Sequence, residues 1–250
     1  MRIAVCLSGQ PRFLSLCLPG IKKYLVETNQ ADVFVHTWWN PSDVGRFHDT
    51  SIPYQFATVG SVESDVSEKL QSLSPVKMEI DLPKEFELAS RLRYASTARP
   101  NSLCSNFYSQ HRAIKLKAEY EKEEGFVYDA VIRARLDLAY EGPVCVSEIT
   151  HDLREYLVLA SIWQDKRQAM IPGLGDYTMD DNIVISSSPN INKYGETYQR
   201  MQEINDVINP PFAENYLGWN CKKINHLKVE TWNFPVEIMQ RVINNNRSVR

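Results

Sequence analysis

Apolar positions along the chain alternate between two rhythms. Residues 3–7 form a short apolar run that passes into the loop SGQPR, after which Leu14, Leu18, Ile21, Tyr24 and Leu25 recur at the spacing of a helix face. The run ADVFVHTWW restores a strand signal rich in β-branched and aromatic residues, and PVKMEIDL alternates in the same sense. Residues 102–124 predict the longest helix, with charges gathered in its second half and Gly125 placed to end it. Strand signals return at YDAVIRARLDL, REYLVLAS and NIVISSS. Beyond Pro189 the rhythm is helical through Tyr194, Tyr198 and Met201, a second helix covers 214–223, and HLKVETW is again β. Strands interleaved with helices predict an α/β fold built on a mostly parallel central sheet with helices on both faces. Residues 38–53 and 83–101, the latter with Arg91, Arg93 and Arg99, fit neither rhythm and read as lids or binding loops.

Composition narrows the partners. A chain of 250 residues can fill one elaborate α/β domain. A net charge of -3 argues against a general nucleic-acid binder, so any polyanion has to meet a local cationic cluster. Five cysteines with no CxxC pair match reduced thiols and not a zinc site. The first apolar run is too short to span a bilayer, so the expectation is a cytoplasmic chain without a transmembrane segment, with peripheral contact at a membrane left open.

One strand breaks the apolar rule. In VIRARLDL, Arg133, Arg135 and Asp137 fall on one side, while Ile132, Ala134, Leu136 and Leu138 fall on the other. Breaking a buried ion pair typically costs about 3–5 kcal/mol, so these charges must either neutralise one another or meet a charged ligand. On the second alternative, Asp137 helps hold a divalent cation on a pyrophosphate and an arginine offsets phosphate charge. Ligands of open α/β sheets gather beyond the carboxyl ends of parallel strands. The loop after the first strand is one such end. There Gly9 permits close backbone approach or positive φ, Pro11 suits a first helical turn, and Arg12 adds charge. A third cluster, GLGDYTMDDN, sets Asp180 and Asp181 just before a strand. Being consecutive, they face opposite ways, so at most one is catalytic. His36 reads as a hydrogen-bonded structural residue, Trp219 as core, and one of Trp38 and Trp39 as a crevice residue. The chain carries no nucleophile-elbow serine motif and no HExxH.

Taken in order, LSGQPR, DVFVHTW, SNFYSQHRAIKLKAEYE, YDAVIRARLDL, DDNIVISSS and ENYLGWNCKKINHLKV resemble a group of GT-A-like glycosyltransferases from bacterial surface-polysaccharide loci and viruses. The resemblance implies a GT-A-like (Rossmann-like) domain. Residues 1–140 would be its nucleotide-sugar-binding half, 141–243 its acceptor-side half and 244–250 a frayed tail. It implies a nucleoside diphosphate sugar beside Ser8, Gly9, Gln10 and Arg12, with Arg133 and Arg135 toward the diphosphate. Asp137 takes the DXD-like position that would hold Mn²⁺ or Mg²⁺. Position 135 is Arg and position 139 is Ala, so Arg135 is expected to assume part of the cation's work. Asp181 matches the aspartate that opens the later strand and becomes the acceptor-side base, with Asp180 as its substitute. The expected acceptor is a glycan, a lipid-linked glycan or another hydroxyl compound. The rival readings are a non-catalytic nucleotide-sugar or carbohydrate-binding module, and a nucleotidyltransferase, which usually needs more carboxylates for its metals.

Overall fold

The structure, a computed structural model, describes residues 1–40, 63–92, 100–160, 175–208, 210 and 212–238. Residues 41–53 and 93–99 of the two unassigned stretches, Gly173 and the tail 244–250 lie outside them.

The strands are β1 (Ile3–Gly9), β2 (Asp32–Trp38), β3 (Lys77–Asp81), β4 (Ala130–Arg135), β5 (Leu138–Tyr140), β6 (Tyr156–Ala160), β7 (Ile183–Ser186), β8 (Lys228–Trp232) and β9 (Val236–Ile238). Seven of them make one sheet in the order β3-β2-β1-β4-β7-β6-β8, and β5 pairs with β9 in a small second sheet. Within the large sheet β7 alone runs against its neighbours, and the other six strands share one direction. The fold is therefore α/β with a mostly parallel central sheet.

Helices cover both faces. They are α1 (Leu14–Gly20), which runs on as a π-helical stretch (Ile21–Glu27), α2 (Glu63–Gln71), α3 (Pro100–Glu124), α4 (Ser188–Gly195), α5 (Thr197–Ile208) and α6 (Ala213–Gly218), extended by a second π-helical stretch (Trp219–Ile224). The alternation of β1 decides which layer meets which face. Ile3, Val5 and Leu7 enter a core shared with Leu14, Leu18, Ile21 and Leu25, while Ala4 and Cys6 enter a core shared with Phe107 and Ile114 of α3. Burying a side chain such as Val or Leu stabilises by about 1.5–3 kcal/mol, so a strand apolar on both faces is stable only at the centre of such a sandwich. No described helix is long and apolar enough to cross a membrane.

The stretch VIRARLDL is not one strand. β4 stops at Arg135, Leu136 and Asp137 form a turn, and β5 leaves to pair with β9. The order β3-β2-β1-β4 reverses between β1 and β4, because the chain winds outward from β1 in one direction and resumes on its other side. Such a reversal opens a crevice at the strand carboxyl ends, where ligands of doubly wound sheets bind. The residues at this reversal are the end of the Ser8–Arg12 loop and the end of β4.

Candidate active site at the β1 and β4 strand ends

The loop leaving β1 is held in an unusual backbone shape. Gly9 has φ 112, a value that favours glycine. Its amide donates to Ser109 Oγ at 2.9 Å, and its carbonyl accepts from Thr37 Oγ1 at 2.7 Å. Arg12 N–H donates to the Gln10 carbonyl at 2.8 Å, and Phe13 then sits in the left-handed region at φ 54 before α1 begins. Left-handed backbone costs a bulky residue on the order of 1–2 kcal/mol, which burial of the Phe13 ring helps to offset. Pro11, expected in the first helical turn, lies in the loop instead, because the helix starts only at Leu14. The outcome is a loop tied to β2 and α3 that carries Arg12 beyond the carboxyl end of β1.

Two expected ligand contacts are sealed. Arg133 is fully buried, with one guanidinium nitrogen donating to Ser8 Oγ at 3.0 Å and another to the Asp181 carbonyl. Ser8 is equally buried, and its carbonyl accepts from Leu136 N–H. Both were expected beside the donor. The structure instead makes them a clasp that ties β1 and β4 to the segment entering β7, because a buried guanidinium must find fixed acceptors.

Two residues further along β4, the charge meets solvent. Arg135 grips Asp137 side-on, with Nε to Oδ1 at 2.8 Å and Nη2 to Oδ2 at 2.7 Å, while Nη1 donates to Asn182 Oδ1 at 3.2 Å. Arg12 Nε stands 3.8 Å from Asp137 Oδ2, and Arg135 Nη1 stands 4.0 Å from Asp181 Oδ1. Asn106 of α3 donates to the other Asp181 oxygen at 3.0 Å. Exposure divides by sign: the Arg12 and Arg135 side chains are 28% and 21% exposed, against 7% and 10% for Asp137 and Asp181. An approaching anion therefore meets the guanidiniums before the carboxylates. Burial alone would raise the Asp137 carboxyl, yet Arg135 and then Arg12 hold it below the usual carboxylate range.

Asp180 is different in kind. It is fully buried and accepts from the Asn182 backbone N–H at 3.1 Å and the Asn182 side-chain amide at 2.7 Å. Burial, and secondarily the Asp181 charge, push its carboxyl up to about 7 despite those two donors. Between about pH 4 and 7 the folded chain thus holds a proton that the unfolded chain has released, so stability falls as pH rises through that window. Urea melts of the wild type and Asp180→Asn from pH 5 to 8 should diverge, the wild type losing ground as pH rises. Parallel profiles would show that Asp180 ionises as an ordinary carboxylate.

The donor set at Asp137 does not fit a divalent cation. Both carboxylate oxygens accept from the Arg135 fork, and Arg12 stands over the same group, so an incoming cation would displace one guanidinium and abut another. The residues present thus argue against the metal role expected for Asp137, and no step below passes through a metal.

Other expected residues fall as follows. His36 is buried, with Nδ1 2.9 Å from Ser109 Oγ and Nε2 3.3 Å from Asp81, a structural hub beneath the Gly9 turn. Trp38 and Trp39 enter opposite cores, so neither is the expected crevice residue. Trp219 is half-buried against Tyr177 at 4.8 Å. Asn106 and Asn182, which fix Asp181, Asp180 and Arg135, escaped the sequence reading. For Asn106 the signal is polarity on an inward face: Asn106, Ser109, Gln110 and Lys117 follow helical spacing on a helix packed against β1 and β2. A separate cavity of about 340 Å³ lies at the opposite end of the sheet, lined by Arg2, Asp32, Tyr120, Glu124 and Phe126. No protein-family model matches the chain, and no curated protein matches it either.

Proposed function

We propose that this chain is a GT-A-like glycosyltransferase that moves a sugar from a nucleoside diphosphate sugar to a hydroxyl of a glycan or lipid-linked glycan, working in the cytoplasm on polysaccharide assembly. The observation that carries the reading is the pair of solvent-reaching guanidiniums, Arg12 and Arg135, at the β1/β4 reversal, with the Asp181 carboxylate 4.0 Å from Arg135. On this reading the donor diphosphate lies against Arg12 and Arg135. As the bond from the anomeric carbon to the diphosphate oxygen breaks, negative charge gathers on the leaving group, and two prepositioned guanidiniums stabilise it without reorganising. The acceptor oxygen attacks the anomeric carbon and its proton passes to Asp181, in an inverting displacement. Asn106 sets the orientation of that carboxylate. The left-handed Phe13 beside Arg12 supports a functional loop, since strained backbone concentrates at ligand sites.

A binding module is the second reading, favoured by the Arg135 fork, which already spends part of that guanidinium on Asp137. A panel of nucleotide sugars separates the two. A donor at a hundred times its Kd should stabilise by about 2.7 kcal/mol, roughly 5–10 °C for a chain of this size, and should be slowly hydrolysed. A shift without hydrolysis or transfer moves the assignment to a binder. No shift with any nucleotide sugar removes both.

A further inference from the structure

We infer that Arg12 and Arg135 form a diphosphate clamp that needs no divalent cation, with Asp137 acting as the residue that positions Arg135. The clamp rests on the glycosyl-transfer reading for its natural ligand, and on geometry for everything else.

The argument is a donor count. A guanidinium carries five N–H groups, and in Arg135 three are engaged, two by Asp137 and one by Asn182, which leaves two. Because Asp137 takes the side-on edge formed by Nε and Nη2, the end-on edge formed by Nη1 and Nη2 is approached only at Nη1, by Asn182 and, at 4.0 Å, by Asp181. That edge is the planar fork that suits a phosphate. Three contacts on one side chain also fix its rotamer, so little entropy is lost when an anion binds. Asp137 is the source of that fixity. Each of its oxygens accepts from Arg135, and Arg12 stands 3.8 Å from one of them, so two positive charges flank the carboxylate, an excess that repels a cation and attracts an anion. The nearby carboxylates do not reverse this preference, because Asp137 and Asp181 are nearly covered while both guanidiniums reach solvent. In the diphosphate's own terms, two guanidiniums occupy the electrostatic place of the metal.

Isothermal titration of UDP, GDP and inorganic pyrophosphate, each in EDTA and in Mn²⁺, tests the clamp. The expected result is a Kd in EDTA within about twofold of that in Mn²⁺, and a loss of about tenfold or more in Arg135→Gln and in Arg12→Gln. Asp137→Asn, which keeps one acceptor oxygen toward Arg135 and turns an amide NH₂ on its other nitrogen, should lose less affinity than Asp137→Ala, which should lose at least about fivefold, and both losses should be equal with and without Mn²⁺. A metal ligand behaves otherwise: Asn and Ala would fail alike, and only when Mn²⁺ is present. Binding that demands Mn²⁺, or a loss in Asp137→Asn confined to Mn²⁺, overturns the clamp. Thermal melts establish that each variant is folded, and the Asn variant decides the matter if Ala unfolds. Pyrophosphate binding in EDTA without any nucleoside diphosphate binding would keep the clamp and sink the glycosyl-transfer reading. No binding of any of the three probes would sink the clamp itself.

Discussion

Arg135→Ala should cost about 3–5 kcal/mol of folding stability at pH 7, the range for leaving one member of a buried ion pair alone. Exposure decides which rule applies. An exposed pair contributes about 0–1 kcal/mol, but the Asp137 side chain is only 7% exposed, and both its oxygens depend on the lost guanidinium. Arg12, at 3.8 Å, recovers part of the loss and places the value toward the lower end. Asp137→Ala in the same background should return stability, since the stranded charge is then gone, and the double-mutant cycle reads the coupling directly. The pH dependence follows from the sign of the shift. In the wild type the depressed Asp137 carboxyl contributes stability above its unfolded value near 4, and that contribution is lost as pH falls through the lower folded value. In Arg135→Ala the buried carboxylate is instead a liability when ionised, so the deficit should shrink on acidification. A urea melt giving less than about 1 kcal/mol at pH 7 would mean that Asp137 behaves as a solvated group.

Much of the scaffold was legible because burial on both faces leaves a plain mark. β1 opens on five consecutive apolar residues and β2 carries three at Val33, Phe34 and Val35, α3 carries the longest helical period, and Gly125 follows its last residue as expected. Strand direction left no mark. β7 is buried along its whole length, as the central parallel strands largely are, and nothing in its residues says that it runs against β4 and β6. The break after Arg135 was equally hidden, since the two-residue period continues through Asp137 and the turn contains neither Gly nor Pro. The charged face of this stretch was visible, but its division of labour was not. Arg133 finds its acceptors at Ser8 and at the Asp181 carbonyl, 125 and 48 residues away, so only the assembled sheet seals it and leaves Arg135 outside. The same distance in sequence hides Asn106 from Asp181, 75 residues apart.

Asp181→Asn should lower glycosyl transfer by about 10²–10⁴-fold while leaving donor affinity within about threefold, the pattern of a lost general base. Asn preserves the shape and still accepts from Asn106 through its one remaining oxygen, but it cannot take a proton. The neighbour supplies the contrast. Asp180 is fully buried and bonded through both oxygens to Asn182, so it has no path to an acceptor hydroxyl, and Asp180→Asn should keep transfer within about tenfold. Its influence is electrostatic. Because burial and the Asp181 charge set the Asp180 carboxyl at about 7, its ionisation adds a second negative charge beside the base across neutral pH. An inflection in the transfer rate near pH 7 should therefore be present in the wild type and absent from Asp180→Asn. Asn106→Ala separates positioning from chemistry, since it frees the Asp181 carboxylate to rotate without removing it, and should cost less than Asp181→Asn. A folded Asp181→Asn protein that transfers sugar at the wild-type rate would move the base elsewhere. If Asp180→Asn proved to be the inactive variant instead, the buried carboxylate would have to become accessible during turnover.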